Sequence, residues 1–534
     1  MFEVGKDIIK SINVPAGSAS HGRLRFVYSV FVVLFVMFAV QTLRMGVKGT
    51  NLARRGSGAG AWVSLRADIV DRTGDILAKN IMSGHIVLRP ALVRNSGVAA
   101  RLVNEVVPEI STSDVLRDIE SGKKFIYIKR LASDEQRAAV KAAKIPGISV
   151  EETERRKYPK QRLFSHLVGF VGTDMKGLEG IERLADKYIL ENKDPLVLSV
   201  DSRVQSVFYQ ELSKAMQTYG ARGAIGILMN SATGEIIAMV SLPDFDPEDI
   251  NSEDADRRKF LPMRGIYEMG SSFKIFNTAM AAEYGIGLDK EYNVGRPYKV
   301  ANTTISDIAS FKPPRPNLSV REIMLHSSNV GSVQIALDLP AGAAPDFFSK
   351  IYMDRALDLE FGRTERTLLP AKWGPVERAT VSFGHGIAVT PMHLLLAVNA
   401  MVNGGIYVWP TIYRRGPGPV EGKRVISPEL SKELREIMFK TAEEGSVRKA
   451  RIKGINIGGK TSTAEKRVNG IVDKTKNLTS FIGAFPIESP GYVMLVMLDE
   501  PKGTPESFGL RTAAWNAVPT AGAILDSILP MLFN

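Results

Sequence analysis

Residues 267–274 read Tyr267-Glu268-Met269-Gly270-Ser271-Ser272-Phe273-Lys274, and the meaning of this stretch decides what kind of molecule the chain is. A glycine turn precedes a helical pattern from Ser271 to Tyr284, so the serine stands at a helix N-terminus, where unpaired N–H groups favour developing negative charge. A lysine three residues on lies one turn away on the same face, where its amine can take the hydroxyl proton. Alone, a Ser-x-x-Lys tetrad is weak. It recurs as Ser121-Gly122-Lys123-Lys124 and Ser446-Val447-Arg448-Lys449, so two of the three are coincidental even if one is functional.

Order and context choose between them. Ser327-Ser328-Asn329 follows the helical stretch Val320 to Leu325 and precedes another, which places it on an inter-helix loop. Lys460-Thr461-Ser462-Thr463 follows Ile455-Asn456-Ile457-Gly458-Gly459, a predicted short strand whose glycines let a ligand approach the backbone. Decoys exist for both, at Ser11-Ile12-Asn13, Lys440-Thr441 and Lys474-Thr475. A Ser-x-x-Lys on a helix, a Ser-x-Asn on a loop and a Lys-Thr on a strand, in that order, form a strong joint signal.

Further out, the runs Ala224 to Met229 and Glu235 to Val240 flank Asn230-Ser231-Ala232-Thr233-Gly234 and predict a β-hairpin. A second pair, Ser480 to Phe485 and Tyr492 to Leu498, flanks Pro486 to Gly491 in the same way. Strands thus bracket a helix-rich middle, which predicts an antiparallel sheet sandwiched by helices, with the terminal stretch Thr520 to Leu532 packed on it. Upstream, Leu196 to Val200 reads as a strand and Ser202 to Thr218 as a helix; the domain boundary is placed at residues 195/196. The region from about Ala61 to Asp194 predicts an extended, non-catalytic module.

At 534 residues the chain exceeds one ordinary core, which agrees with several modules. Its 44% hydrophobic and 24% charged content excludes a disordered or fibrous chain. The absence of cysteine rules out thiol nucleophiles, disulfides and thiolate metal sites. The six histidines show no metal-binding pairing, so neither metal nor cofactor is expected. The net charge of +12 is not organised into basic runs interleaved with aromatics, so no nucleic-acid partner is expected. Phe26 to Leu43 carries no charge and lies between Arg23 and Arg25 on one side and Arg44 and Lys48 on the other, which predicts one uncleaved membrane-spanning helix. Basic residues balance across it, Lys6, Lys10, Arg23 and Arg25 against Arg44, Lys48, Arg54 and Arg55, so charge bias leaves the orientation open. The expected map is a cytoplasmic tail 1–25, transmembrane helix 26–43, linker 44–61, pedestal 62–195 and catalytic domain 196–534.

In its three motifs the chain resembles the superfamily of penicillin-binding proteins and serine β-lactamases. Arg66-Ala67-Asp68-Ile69-Val70-Asp71-Arg72-Thr73-Gly74 resembles the entry motif of its class B branch. Tyr158-Pro159 to His166 and Gly177-Leu178-Glu179-Gly180-Ile181-Glu182 resemble the pedestal signature, Pro243-Asp244-Phe245-Asp246-Pro247 the segment ahead of the nucleophile, and Trp515-Asn516-Ala517-Val518-Pro519 the terminal one. The best subgroup match is the septal, FtsI-type peptidoglycan D,D-transpeptidase. The side-wall elongation paralogue shares every catalytic motif and is the runner-up.

That resemblance implies an α+β multidomain chain: one transmembrane helix, an elongated pedestal of the dimerisation type and a transpeptidase domain in the periplasm, anchored in the inner membrane. It implies Ser271 as nucleophile toward the D-Ala-D-Ala end of a stem peptide, Lys274 as base, Ser327 as proton relay, Asn329 and Ser328 on the substrate, and Lys460 as positive charge. Thr461 and Thr463 would bind the terminal carboxylate, and the N–H groups of Ser271 and Thr463 the oxyanion. β-Lactams are the implied inhibitors, and an FtsW-type membrane glycosyltransferase and other divisome proteins the implied partners. Ser462, counted with the substrate-binding residues, stands where the family has glycine, which puts a side chain where ligand normally passes close, yet a small residue pointing to one face of a strand is not expected to abolish function; Ala67 and Met269 replace a family glycine and proline. His385 and His326 read as structural residues. No Glu-x-x-x-Asn segment supports a β-lactamase, and about 130 residues ahead of Pro195 are too few for a glycosyltransferase. A non-enzymatic β-lactam-binding scaffold is the third reading, opposed by the intact motif residues.

Overall fold

The computed structural model describes residues 30, 32, 34–37 and 66–533 except 253, 309–310, 417–419 and 469–470. Of the expected anchor 26–43, the described residues 30, 32 and 34–37 are helical and exposed, and the rest lies outside the described residues, as does the linker 44–61. Among the described residues no helix is long and apolar enough to cross a membrane.

Ser64–Asn534 forms one compact unit. It begins with β1 (Ile69–Val70) and the long β2 (Ile76–Leu88), followed by helices α1 (Ser96–Val106) and α2 (Thr112–Glu120), β3 (Ile126–Lys129), α3 (Asp134–Ala143) and β4 (Ile148–Lys157). β2 pairs antiparallel with β1, β3 and β4. A small separate core gathers under the three helices, with Ile86, Leu88, Val103, Val115 and Val140 at its centre.

The expected boundary at 195/196 falls between paired strands, not in a linker. β5 (Leu196–Val197) adds to β1 in parallel, and Ile69, Leu77, Tyr158, Phe164 and Leu167 share one core with the catalytic body. The motifs read as pedestal signature lie at this junction. Arg66 is ion-paired to Glu182 and Asp186, both at 2.6 Å, and Arg156 reaches Glu182 at 2.7 Å. Arg66, Arg156 and Glu182 are all buried, so each charge depends on its partners. Two glycines of the signature are sterically required: a Cβ on Gly177 would meet the Glu182 carbonyl at 1.9 Å, and one on Gly180 the Gly169 nitrogen at 2.5 Å.

The body is a five-stranded antiparallel sheet ordered β8-β9-β10-β6-β7, where β6 is Gly223–Asn230, β7 Ile236–Leu242, β8 Gly458–Val468, β9 Ile471–Phe485 and β10 Tyr492–Asp499. Both expected hairpins are present, each longer than the apolar run that predicted it. Strand alternation divides the core: Val493, Leu495 and Met497 of β10 face one helical layer, Met494, Val496 and Leu498 the other. On the second face lie α4 (Ser202–Tyr219), through Val204, Phe208 and Leu212, and the terminal α10 (Ala517–Phe533). On the first lie α5 (Lys274–Glu283) and α8 (Pro391–Val402), the latter buried at every residue, as expected of a helix apolar all round. Between them in the chain are α6 (Val320–His326) and α7 (Asn329–Asp338), and α9 (Pro428–Glu443) precedes β8. The expected antiparallel sheet sandwiched by helices is the observed one.

Candidate active site

Three elements meet at the site, and each takes its shape from local sequence. Gly270–Phe273 is a 3-10 turn leading into α5, so Ser271 precedes the α-helix instead of opening it, and Lys274 is its first residue. Gly270 has φ +47, in the left-handed region, and its N–H donates to the Gly384 carbonyl at 3.3 Å. α6 begins at a capping box formed by Ser319 and Glu322. It ends at Ser327, whose φ of 62 and ψ of 38 are left-handed, a strained choice for serine that turns its side chain into the cleft. Ser328 then caps α7, its Oγ accepting from the Gly331 N–H at 3.0 Å. Gly331 permits the close packing of α6 and α7, since a Cβ there would meet Ile323 Cγ1 at 2.5 Å. β8 is the edge strand of the sheet and lies against the 3-10 turn of Ser271, so alternate backbone groups on its free side have no sheet partner.

The side chains converge on two amines. Lys274 Nζ lies 3.2 Å from Ser271 Oγ, 3.1 Å from Ser327 Oγ, 2.5 Å from the Ser327 carbonyl and 2.7 Å from Asn329 Oδ1. Lys460 Nζ lies 3.0 Å from Ser327 Oγ and 3.2 Å from the Thr461 carbonyl. Both lysines are buried, and the Ser327 hydroxyl bridges them. Two of Lys274's partners, a carbonyl and an amide oxygen, only accept hydrogen bonds. A neutral amine has two N–H donors, so those oxygens use both and the lone pair is left for a hydroxyl, which is the arrangement a base requires.

Electrostatics favour that state. Burial, and secondarily Lys460, hold the Lys274 ammonium well below the usual lysine range, while Asp307 acts in the opposite sense. Burial pulls Lys460 down to about 8. Two amines around one hydroxyl in a dry site disfavour double protonation.

The structure brings Ser271, Lys274, Ser327, Asn329 and Lys460 together and assigns other work to some residues expected on substrate. Ser328 is fully buried; besides capping α7, its Oγ donates to Asp307 Oδ2 at 2.7 Å. It shapes the loop and does not reach the cleft. Ser462 is also buried, and its Oγ faces Gly270, on which a Cβ would lie 2.4 Å away. Ser462, expected among the substrate-binding residues, therefore turns its side chain under the nucleophile's turn, the one face that strand alternation gives it. Thr461 is partly exposed and its Oγ1 lies 2.6 Å from Ser446 Oγ. Thr463 Oγ1 accepts from the Ala513 N–H at 3.0 Å, which leaves its own proton for a ligand. The predicted short strand before Lys460 starts instead at Gly458 and runs on through the whole motif.

The decoy tetrads separate physically. Ser121 is exposed at the C-terminal end of α2, where its hydroxyl donates to the Asp118 carbonyl. Lys449 sits over the Trp515 ring at 3.2 Å, so it is not a base for Ser446; Ser11 and Asn13 lie outside the described residues. Ser446 itself reaches the rim of the site, which its tetrad concealed. Sequence reading also missed Asp307 and Glu268. Glu268 Oε1 accepts from the Gly386 N–H at 3.1 Å, tying the Gly384-His385-Gly386 loop to the nucleophile's turn. Its place three residues before Ser271 was the available signal. His385 packs beside Phe383, and His326 ends α6 exposed to solvent.

Comparison with known proteins gives the same answer along the whole body. The family described as penicillin binding protein transpeptidase domain matches residues 224–520, and the penicillin-binding protein dimerisation domain matches 62–195. The chain is 32% identical over 523 residues to a probable peptidoglycan D,D-transpeptidase FtsI of Caulobacter vibrioides, covering 94% of this chain and 88% of the relative. It is 30% identical to a probable peptidoglycan D,D-transpeptidase PenA of Neisseria gonorrhoeae, covering 92% and 90%, and 28% identical to the peptidoglycan D,D-transpeptidase FtsI of Escherichia coli, covering 87% and 83%. A crystal structure of a peptidoglycan synthetase from Bifidobacterium adolescentis superposes with a TM-score of 0.66 at 20% identity, covering 87% of this chain and 95% of that one, which shows a shared fold.

Proposed function

The chain belongs to the class B penicillin-binding proteins of the FtsI type, and from that premise we propose how its residues carry out peptidoglycan D,D-transpeptidation and where in the cell they do so. The activity is acyl transfer on peptidoglycan stem peptides, and β-lactams bind as substrate mimics. The observation that carries the assignment of roles is the Ser327 hydroxyl held between two buried amines, one of which also lies 3.2 Å from Ser271 Oγ.

Lys274 takes the Ser271 proton as Oγ attacks the carbonyl of the penultimate D-Ala. The oxyanion lies between the backbone N–H groups of Ser271 and Thr463, a contribution of about 3 kcal/mol per donor. The C–N bond breaks as the leaving D-Ala amine receives a proton from Lys274 through Ser327. Lys460 keeps the relay polarised, the hydroxyls of Thr461 and Thr463 bind the terminal carboxylate, and the Asn329 side chain meets a substrate amide. An amine of a second stem then attacks the Ser271 ester, frees the serine and completes the cross-link. Two acyl transfers in sequence need no external energy source, because the broken amide supplies it.

The cellular reading is a septal enzyme held in the cytoplasmic membrane by one helix over residues 26–43, its body in the periplasm beside an FtsW-type glycosyltransferase and other divisome proteins. The uncharged run and the kinship with relatives named FtsI support it. Two experiments test these readings. The full-length chain in detergent should release D-Ala from a pentapeptide stem and transfer the acyl group to an added amine; a folded, penicillin-reactive chain that does neither would point to the scaffold. Cells depleted of it should filament with intact side walls, whereas rounding would assign it to elongation.

A further inference from the structure

We propose that Asp307 is a positioning residue of the reaction: it holds the Ser327–Asn329 corner in register and places a negative charge beside Asn329, a hydrogen-bond partner of the buried Lys274. This rests on the reading of Lys274 as the base. Asp307 lies outside all three motifs, 20 positions before Ser327. Its Oδ2 accepts from Ser328 Oγ at 2.7 Å, and its Oδ1 accepts from the Asn329 N–H and from the Val330 N–H, the latter at 3.2 Å. Its neighbour Ser306 offers a carbonyl to Asn329 Nδ2 at 3.4 Å. That contact sets the Asn329 amide with its oxygen toward Lys274 Nζ, so the segment Ser306–Asp307 fixes both the backbone and the side-chain orientation of the motif.

The segment is tied to the body on its N-terminal side. The strands Tyr298–Val300 and Thr303–Ile305 form a hairpin just ahead of it, and Val300 and Ile305 pack with Val333 of α7, Ala379 and Phe383 in a small core of their own. An acid at a helix N-terminus is common and by itself structural. Here a second observation applies. The charged groups acting on Lys274 are Lys460, from β8, and Asp307, from this loop, and they act in opposite senses. One carboxylate therefore couples loop geometry to the protonation of the base.

The sign follows. Asp307 favours the Lys274 ammonium, so removing its charge lets Lys274 give up its proton at lower pH. In Asp307→Asn the side chain can still accept from the Asn329 and Val330 N–H groups, so geometry is largely kept while charge is lost. The test measures the second-order rate of acylation of the full-length chain by a fluorescent penicillin across about pH 5 to 10, with the midpoint of thermal unfolding recorded for each variant. Asp307→Asn should unfold near the parent's temperature and move the acid limb down by about half a pH unit or more. Asp307→Glu should return the limb toward the parent's position. An acid limb unmoved in Asp307→Asn while the parent acylates normally would overturn the inference. A folded parent that fails to acylate at any pH would overturn the transpeptidase reading, and this inference with it.

Discussion

Lys274 and Lys460 are chemically alike and buried alike, and their surroundings give them different tasks. Lys274 must lose its proton to act, and burial beside a second cation makes that loss easier than for an ordinary lysine. Lys460 must keep its proton to polarise Ser327, and burial brings its titration to about 8. As pH rises through that value its charge is lost, so acylation should fall on the alkaline side with a midpoint near 8. In Lys460→Arg, whose guanidinium keeps its proton throughout that range, the fall should disappear from the pH–rate profile even if the plateau is lower. Ser327→Ala removes the hydroxyl between the amines and should slow acylation by about a hundredfold or more, the usual scale of a lost proton-transfer group, with the unfolding temperature little changed. The order of their three motifs along the chain, and the helix, loop and strand that carry them, made Ser271, Lys274, Ser327, Asn329 and Lys460 legible in the sequence. Asp307 was not, because nothing local links a loop aspartate to a motif 20 residues away; the hairpin of residues 298–305 makes that link.

At the scale of elements, the contact that matters most is between β8 and the 3-10 turn of the nucleophile. Gly270 is caught between them: a Cβ would lie 2.4 Å from Ser462 Oγ, and φ is +47. On the other side, a Cβ on Gly384 would lie 2.1 Å from the Gly270 carbonyl. Gly270→Ala should therefore displace Ser271 and slow acylation sharply, and adding Ser462→Gly should restore part of the rate, because the obstructing hydroxyl is gone. Ser462→Gly alone should change the rate little, since its hydroxyl has no hydrogen-bond partner to lose. Stopped-flow acylation of the two single variants and the double variant decides it. Helical periodicity could not distinguish a first turn of 3-10 geometry from α, which is why the sequence predicted a helix from Ser271. Likewise the glycines before Lys460 mark close packing inside the fold, where a Cβ would meet Ile487 at 2.6 Å or Phe481 at 2.5 Å, and not room for a ligand; nor do they mark the strand's full extent.

At the scale of the molecule, the body and the proximal half of the pedestal are one core, and the buried Arg66–Glu182–Arg156 cluster lies where they join. Glu182→Ala would leave two buried guanidinium groups short of a partner and should lower stability by about 3 to 5 kcal/mol, read from thermal or denaturant unfolding. The change of texture at Pro195 was visible in the sequence. The strand pairing across it was not, because β1 and β5 have only two residues each and lie 127 positions apart, from Ile69 to Leu196. The central claim is that Ser271 is the nucleophile of a penicillin-sensitive transpeptidase, and intact-protein mass spectrometry of the full-length chain after incubation with a penicillin tests it most directly. The parent should carry one stable adduct of the penicillin's mass and Ser271→Ala none; an adduct of equal yield on the folded Ser271→Ala variant, or none on the folded parent, would contradict the account.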